Sequence, residues 1–204
     1  YIPVSIGIVL LMQTVWMGVL LEWFLDKKAP SAQKIISVII VLIGTALAIN
    51  IFKIDFNDPT IDWSNGLFWG LLAAASFTTT MFTANKVALG ISSAQRSLYM
   101  LLGGAVIVFG FSLYTQVTPF NFEIFTKWGI VLALFGTIIP PMLLNAGFPL
   151  TGIGLGSIVS SLELPVSVMM AYFLLNEQVL LIQWIGIVLI ITAIVIMNIQ
   201  IKKK

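Results

Sequence analysis

Two residues that a lipid bilayer rejects, Glu163 and Pro165, lie inside the apolar run Gly154–Gln178. The run, GLGSIVSSLELPVSVMMAYFLLNEQ, is long enough to cross a hydrocarbon core about 30 Å thick. A carboxylate near the middle of a spanning helix costs on the order of 3 kcal/mol on insertion scales, so it must face protein or a water-filled cavity. Proline has no backbone N–H, so Pro165 should leave the carbonyl of Ser161 without its usual partner. Helical steps of three and four from Glu163 collect Gly156, Ser160, Ser167 and Ala171 on one face. Ile158, Val159, Leu162, Val166, Met169 and Phe173 clothe the rest. A small, polar face around an acid lines a space. Ser160, Glu163 and Ser167 are therefore candidate solute ligands, and Glu163 is the candidate for binding a proton or a cationic group. Small residues also let helices pack closely, but packing alone requires no acid.

Other runs add polar groups. Ser76, Thr78, Thr79, Thr80 and Thr83 share one span, an unusual density of hydroxyls. Thr79 is a candidate solute contact, and the competing reading for each hydroxyl is a bond back to the preceding turn. Pro140 and Pro141 free backbone carbonyls in another span, where irregular backbone is tolerated only beside protein or water. Asn145, one turn beyond Pro141, is a candidate to present its amide to that space. Gly103 and Gly110 lie seven apart, the spacing of a close helix contact. Tyr99 and Glu22 read as interfacial side chains, and Glu177 as an acid favoured at a helix N-terminus.

These groups need elements to hold them, and composition says which kind. The chain is 59% hydrophobic and 9% charged, with a mean hydropathy of +1.08. Soluble domains carry about 25% charged residues. Hydropathy marks seven spans, at about residues 2–25, 35–52, 66–85, 97–116, 128–148, 154–178 and 181–200. The fold class is all-α, a polytopic membrane helical bundle. Cys and His are absent, and all four Asp fall in loops. Thiolate chemistry, the commonest metal ligand and the usual general base are therefore missing. No Gly-rich phosphate loop with Lys appears. An enzyme, a metal site and a cofactor are not expected, nor is a nucleic-acid partner.

Basic residues set the expected orientation. Lys27, Lys28, Lys34, Lys86, Arg96, Lys202, Lys203 and Lys204 fall on the side of the C-terminus. Lys53 and Lys127 fall on the other, with Asp55, Asp58, Asp62, Glu123 and Glu177. The C-terminus is expected in the cytoplasm, in a multi-pass cell-membrane protein. Lys86 and Arg96 are explained by this topological role. Trp63, Trp128 and Trp184 fall near outer helix ends, where indole rings favour the interface.

The chain also repeats itself. A shift of 149 residues lays Gly7, Leu11, Thr14, Gly18 and Glu22 over Gly156, Ser160, Glu163, Ser167 and Ala171. It also pairs Ser37 with Gly186 and Gly44 with Ala193. Thr14 thereby becomes a candidate ligand opposite Glu163. Copies five helices apart lie upside-down relative to each other, the inverted-repeat plan of many secondary transporters. With a five-helix unit, residues 66–204 form one repeat, 1–52 the last two helices of another, and 53–65 an extracytoplasmic linker. Three helices are then expected before Tyr1, and Thr14 and Gly18 are expected to lack native neighbours.

The second unit resembles the EamA-type repeat of the drug/metabolite transporter superfamily. The resemblance rests on GLFWGLLAAASFTTTMFTANK, on GTIIPPMLLNAGFPLTGIGLGSIVSSLELPVSVMMAYFLLNEQ and on LLIQWIGIVLIITAIVI. The family's Glu-Pro pair is spread here to Glu163-Leu164-Pro165, Asn176 stands where Gly precedes Glu177, and Gln183-Trp184-Ile185-Gly186 fits its last helix. The resemblance implies a ten-helix inverted-repeat transporter fold and export or exchange of small organic metabolites by alternating access. The expected partners are such a metabolite, membrane lipids and protons. The alternative is a membrane scaffold, or a subunit that binds another helix, in which Glu163 is buried against a fixed partner.

Overall fold

The computed structural model describes residues 2–56, 58–59, 61–117, 122–126, 128–176 and 178–199. Lys127, Glu177 and Lys202–Lys204, which carry part of the charge argument, lie outside the described residues, as does Tyr1. In chain order the helices are α1 (Val4–Leu11), α2 (Thr14–Asp26), α3 (Ala32–Ala48) and a 3₁₀ turn (Ile51–Lys53). There follow α4 (Trp63–Lys86), α5 (Ser93–Thr115), α6 (Glu123–Thr126), α7 (Gly129–Leu132), a π-helical turn (Ala133–Ile138) and α8 (Ile139–Thr151). The last three are α9 (Ile153–Ser160), α10 (Glu163–Leu175) and α11 (Leu181–Asn198). Six stretches, three of them interrupted helices, are long and apolar enough to cross a membrane. α3 is the shorter seventh, with 17 residues, about 25 Å of helix.

Helix starts follow their capping residues. Ser31 Oγ accepts the Lys34 N–H at 3.2 Å. Ser92 and Gln95 form a capping box that starts α5 four residues before the expected Ser97. Asp62 accepts from the Asn65 N–H at 3.1 Å and the Asn65 amide at 2.7 Å, ahead of α4. The Asn65 amide, followed by its backbone N–H, holds the Asp62 carboxyl below its ordinary value.

The chain divides into two compact units, Tyr1–Phe82 with Thr151–Lys204, and Thr83–Leu150. In the first, the internal repeat recurs as geometry. α1 and α9, and α2 and α10, begin and end 149 residues apart, and α3 and α11 begin so. The interruptions also match. Gln13 donates to the Leu10 carbonyl and Val15 to Met12, both at 3.1 Å. Leu162 donates to Val159 at 3.0 Å and Leu164 to Ser161 at 3.3 Å. Both second halves end in a left-handed residue, Lys27 at φ 51° and Asn176 at φ 54°.

The Ser161 carbonyl lacks its usual partner four residues on, as expected for Pro165, but it is not left unpaired. Its partner is the Leu164 N–H, in a tightened 3₁₀-type turn. Pro165 itself is the third residue of α10, where a backbone N–H has no acceptor within its helix. The matching break in the first copy contains no proline. There Gln13 Nε2 donates back to the Val9 carbonyl at 3.0 Å, and Trp16 Nε1 donates to Gln13 Oε1 at 2.8 Å.

α3 packs along α11, and α2 against α9. Small residues set both seams. A Cβ on Gly186 would fall 2.9 Å from the Ala48 Cα, and one on Gly44 would fall 2.8 Å from Ile190 Cγ1. The repeat-related position carries Ser37, whose hydroxyl donates to the Ala193 carbonyl at 3.1 Å. A Cβ on Gly18 would lie 2.7 Å from the Ser157 Cβ. Two apolar clusters flank these seams. One gathers Val15, Val41, Ile158 and Ala193, and the other Ala48, Leu164 and Ile190. Thr14 and Gly18 are buried inside this unit, so they do not present the unpartnered faces expected of them.

In the second unit, consecutive prolines shape the backbone. Pro140 and Pro141 cannot donate to the carbonyls of Gly136 and Thr137. The preceding turn widens to π-helical spacing, with Ile139 donating to the Leu134 carbonyl. Gly103 and Gly110 on α5 have nothing within 4 Å of a built Cβ among the described residues. The close contact expected at those glycines is absent there.

Candidate functional site

Glu163 is the first residue of α10, and its side chain is exposed. Among the described residues it forms no hydrogen bond or ion pair. Leu164 and Pro165, its neighbours, are buried. The broken helix thus turns one side of α10 inward and leaves Glu163 and Ser167, one turn apart, on the other. An acid in the first turn is also favoured by the helix dipole and the free N–H groups there. Ser160 is half-buried and its hydroxyl donates to the Gly156 carbonyl at 2.9 Å. Thr14 occupies the position in α2 that Glu163 occupies in α10, but it is buried.

Glu22 is more than an interfacial acid. It pairs with Lys34, and both side chains are about one-fifth exposed (19% and 21%). The pair lies over the start of α9. A Cβ on Gly152 would sit 3.1 Å from Glu22 Oε1, and one on Gly154 would sit 3.3 Å from Lys34 Nζ. The signal in the sequence was the spaced glycines Gly152, Gly154 and Gly156, which let a carboxylate approach a helix N-terminus.

Thr79 borders an open groove of about 340 Å³ between α2 and α4, with Trp16, Met17, Leu20, Phe24 and Thr78. Its hydroxyl donates to the Ala75 carbonyl at 2.9 Å, as Thr78 does to Ala74, and Thr80 donates to Ser76 at 3.2 Å. The back-bonding reading therefore describes all three. The groove that Thr78 and Thr79 border is apolar, with aromatic faces from Trp16 and Phe24.

Asn145 belongs to the second unit and is 2% exposed. Its backbone carbonyl would normally bond the residue four positions on, which is Pro149 and has no N–H. Arg96 Nη1 takes that carbonyl at 2.8 Å. Arg96 Nη2 donates to Thr83 at 3.1 Å and also to Ala84, closing the carbonyl end of α4. Arg96 is therefore no mere topological charge: it is 6% exposed and joins α4, α5 and α8 within this unit. The Asn145 amide nitrogen donates to Ser97 Oγ at 2.9 Å and toward Met100 Sδ at 3.3 Å, while Oδ1 has no partner among the described residues. Asn85 completes the cluster by donating to the Phe148 carbonyl. The clue was Pro149 four residues after Asn145, with a basic residue available near the start of α5.

Among the described residues, no hydrogen bond or ion pair links any two of Glu163, Ser160, Ser167, Asn145, Thr79 and Thr14. The arrangement offers a free carboxyl at a helix break, a buried polar cluster and an apolar groove. No curated protein and no solved structure matches the chain. The model of the EamA-like transporter family matches residues 64–199, well over half the chain. The helices capable of crossing a membrane fall inside and before that range. The chain belongs to the EamA-like transporter family, and is a polytopic, all-helical membrane protein.

Proposed function

We propose that the protein is a secondary transporter that exports or exchanges small organic metabolites by alternating access, with its C-terminus in the cytoplasm. The observation that carries this reading is Glu163. It stands at a helix interruption, exposed and unpartnered among the described residues. Broken helices of this kind place half-helix ends at solute sites in inverted-repeat transporters. A scaffold would be expected to bury such an acid against a fixed partner. Glu163 takes up and releases a proton, or engages a cationic group of the solute, while Ser160, Ser167 and Thr14 from the two helix breaks, with Thr79, serve as polar ligands; in the second unit, taken by itself, Asn145 is the candidate polar ligand. The apolar groove bordered by Trp16 and Phe24 favours solutes with a hydrophobic part.

The test is transport in proteoliposomes against a metabolite panel, with and without a proton gradient. Glu163→Gln keeps the shape and removes the charge change. It is expected to fold normally and to lose proton-dependent transport. Transport at the parent rate with an unchanged pH profile would show that the residue is structural.

A further inference from the structure

A second polar site lies in the first unit, away from Glu163, where α3 ends and α11 begins. Asn50 follows α3 in a left-handed conformation, φ 55°, which asparagine tolerates better than most residues. Its backbone is fully engaged, donating to Leu47 at 2.9 Å and accepting from Lys53 at 3.0 Å. The residue as a whole is only 9% exposed. The amide forms no hydrogen bond among the described residues. Neither amide atom is fully sealed from the adjoining pocket, so the amide is free to take a partner there.

The amide lines a pocket of about 370 Å³, open on one side, with Lys53, Gln178, Leu180 and Gln183. Lys53 is exposed and forms no ion pair among the described residues. Gln183 is already committed, accepting the Leu180 N–H at 3.0 Å and donating to the Ala48 carbonyl at 2.9 Å. That bracket holds the first turn of α11, an 18-residue helix, at the pocket wall. The first backbone N–H groups of a helix have no acceptor within it, and that end of the dipole is positive. The pocket therefore gathers an ammonium, an unpaired amide N–H pair and a helix N-terminus.

We propose that this pocket binds a phosphoryl oxyanion, through Lys53, Asn50 and the start of α11. All three contribute donors, and a lysine ammonium suits phosphate as a point charge. The pocket also lies at the ends of two apolar helices, with the Tyr172 and Trp184 rings in edge contact at 5.6 Å on α10 and α11. The phosphoryl group can therefore belong to a lipid headgroup or to a free phosphate. The site uses neither Glu163 nor the helix breaks, so it stands or falls independently of the transport reading.

The experiment uses the full chain in maltoside micelles, which carry no phosphate. One arm titrates inorganic phosphate and follows it by phosphorus NMR. The other adds phosphatidylglycerol and counts retained lipid by native mass spectrometry. Binding in the first arm assigns a free phosphate and in the second a lipid headgroup, and either supports the site. Lys53→Gln is expected to weaken the bound species about tenfold, and Asn50→Gly, which keeps the left-handed backbone, about fivefold. Lys28→Gln, a distant exposed lysine, and Glu163→Gln should change neither. Absence of binding in both arms overturns the proposal. So does parent-like binding by Lys53→Gln, or by Asn50→Gly melting at the parent temperature, and so does an equal loss in Lys28→Gln. If Asn50→Gly does not fold, Lys53→Gln alone decides.

Discussion

Replacing Gly186 by alanine should separate α3 from α11. The new Cβ would fall 2.9 Å from the Ala48 Cα and against the Gly44 carbonyl. Both obstacles are backbone, so no rotamer change relieves them. Carbon atoms attract best at about 3.5–4.0 Å, so the helices must part by roughly 0.6–1 Å, and a gap of that size forfeits a quarter to a half of each contact. The seam that opens includes Val41, Ala48, Ile190 and Ala193, all at 0% exposure. Overpacking of this kind costs about 1–3 kcal/mol, and backbone obstacles put Gly186 at the upper end. Alanine returns up to about 1 kcal/mol through helix propensity. The net loss of about 2 kcal/mol corresponds to a fall of roughly 4–8 °C in the unfolding midpoint for a chain of this length. Gly103→Ala is the control, since its Cβ meets nothing within 4 Å among the described residues. It should be neutral or raise the midpoint. Thermal unfolding of both variants in one detergent decides the matter. An unchanged midpoint for Gly186→Ala would show that the seam yields freely and that the packing argument is wrong.

Arg96→Gln should lower the unfolding midpoint, because three carbonyls lose a charged donor; the cost is about 2–4 kcal/mol, and Arg96→Lys should recover only part of it. Asp62 should titrate below the usual carboxylate value in carbon-detected NMR, and Asn65→Ala should return it toward that value. Because the folded value is depressed, the cap's contribution is present above the unfolded value of about 3.9 and is lost as pH falls through the folded one. The chain has no Cys, so single cysteines at positions 28 and 58 can be labelled with an impermeant maleimide. They should react from opposite sides of the membrane, and reaction from the same side would refute the seven-span topology.

The spans were legible because length and hydropathy act over some 20 residues and outweigh local detail. The start of α5 was placed four residues late, because the polar first turn behind the Ser92–Gln95 capping box is passed over by a hydropathy window. The interruption between α1 and α2 was not legible, because the residues at it, Met12 and Gln13, carry no breaker signal. It rests instead on Gln13 bonding back to Val9 and holding Trp16. Glu163 was identified as chemically exceptional, yet its place at the first position of a half-helix was not, because it depends on the tightened turn at Ser161. Arg96 was misjudged because charge counting is one-dimensional, whereas its guanidinium answers a proline 53 positions later, at Pro149. The pocket at Asn50 depends on a left-handed residue meeting the start of α11, a pairing visible only in three dimensions.

The matched breaks in the two copies have a consequence for which sequence changes the fold can absorb. A substitution alters one side chain, but deleting one residue turns the rest of its own helix by about 100° around the helix axis. A deletion in α3 between Ala32 and Gly44 would swing Gly44 out of its seam with Gly186 while leaving α11 itself untouched. The copies can therefore diverge in chemistry, as Thr14 and Glu163 already have, but they are locked to each other in length. Tolerance to single-residue insertion and deletion should accordingly collapse inside α3 and α11 and reappear in the connection between Asp55 and Asp62.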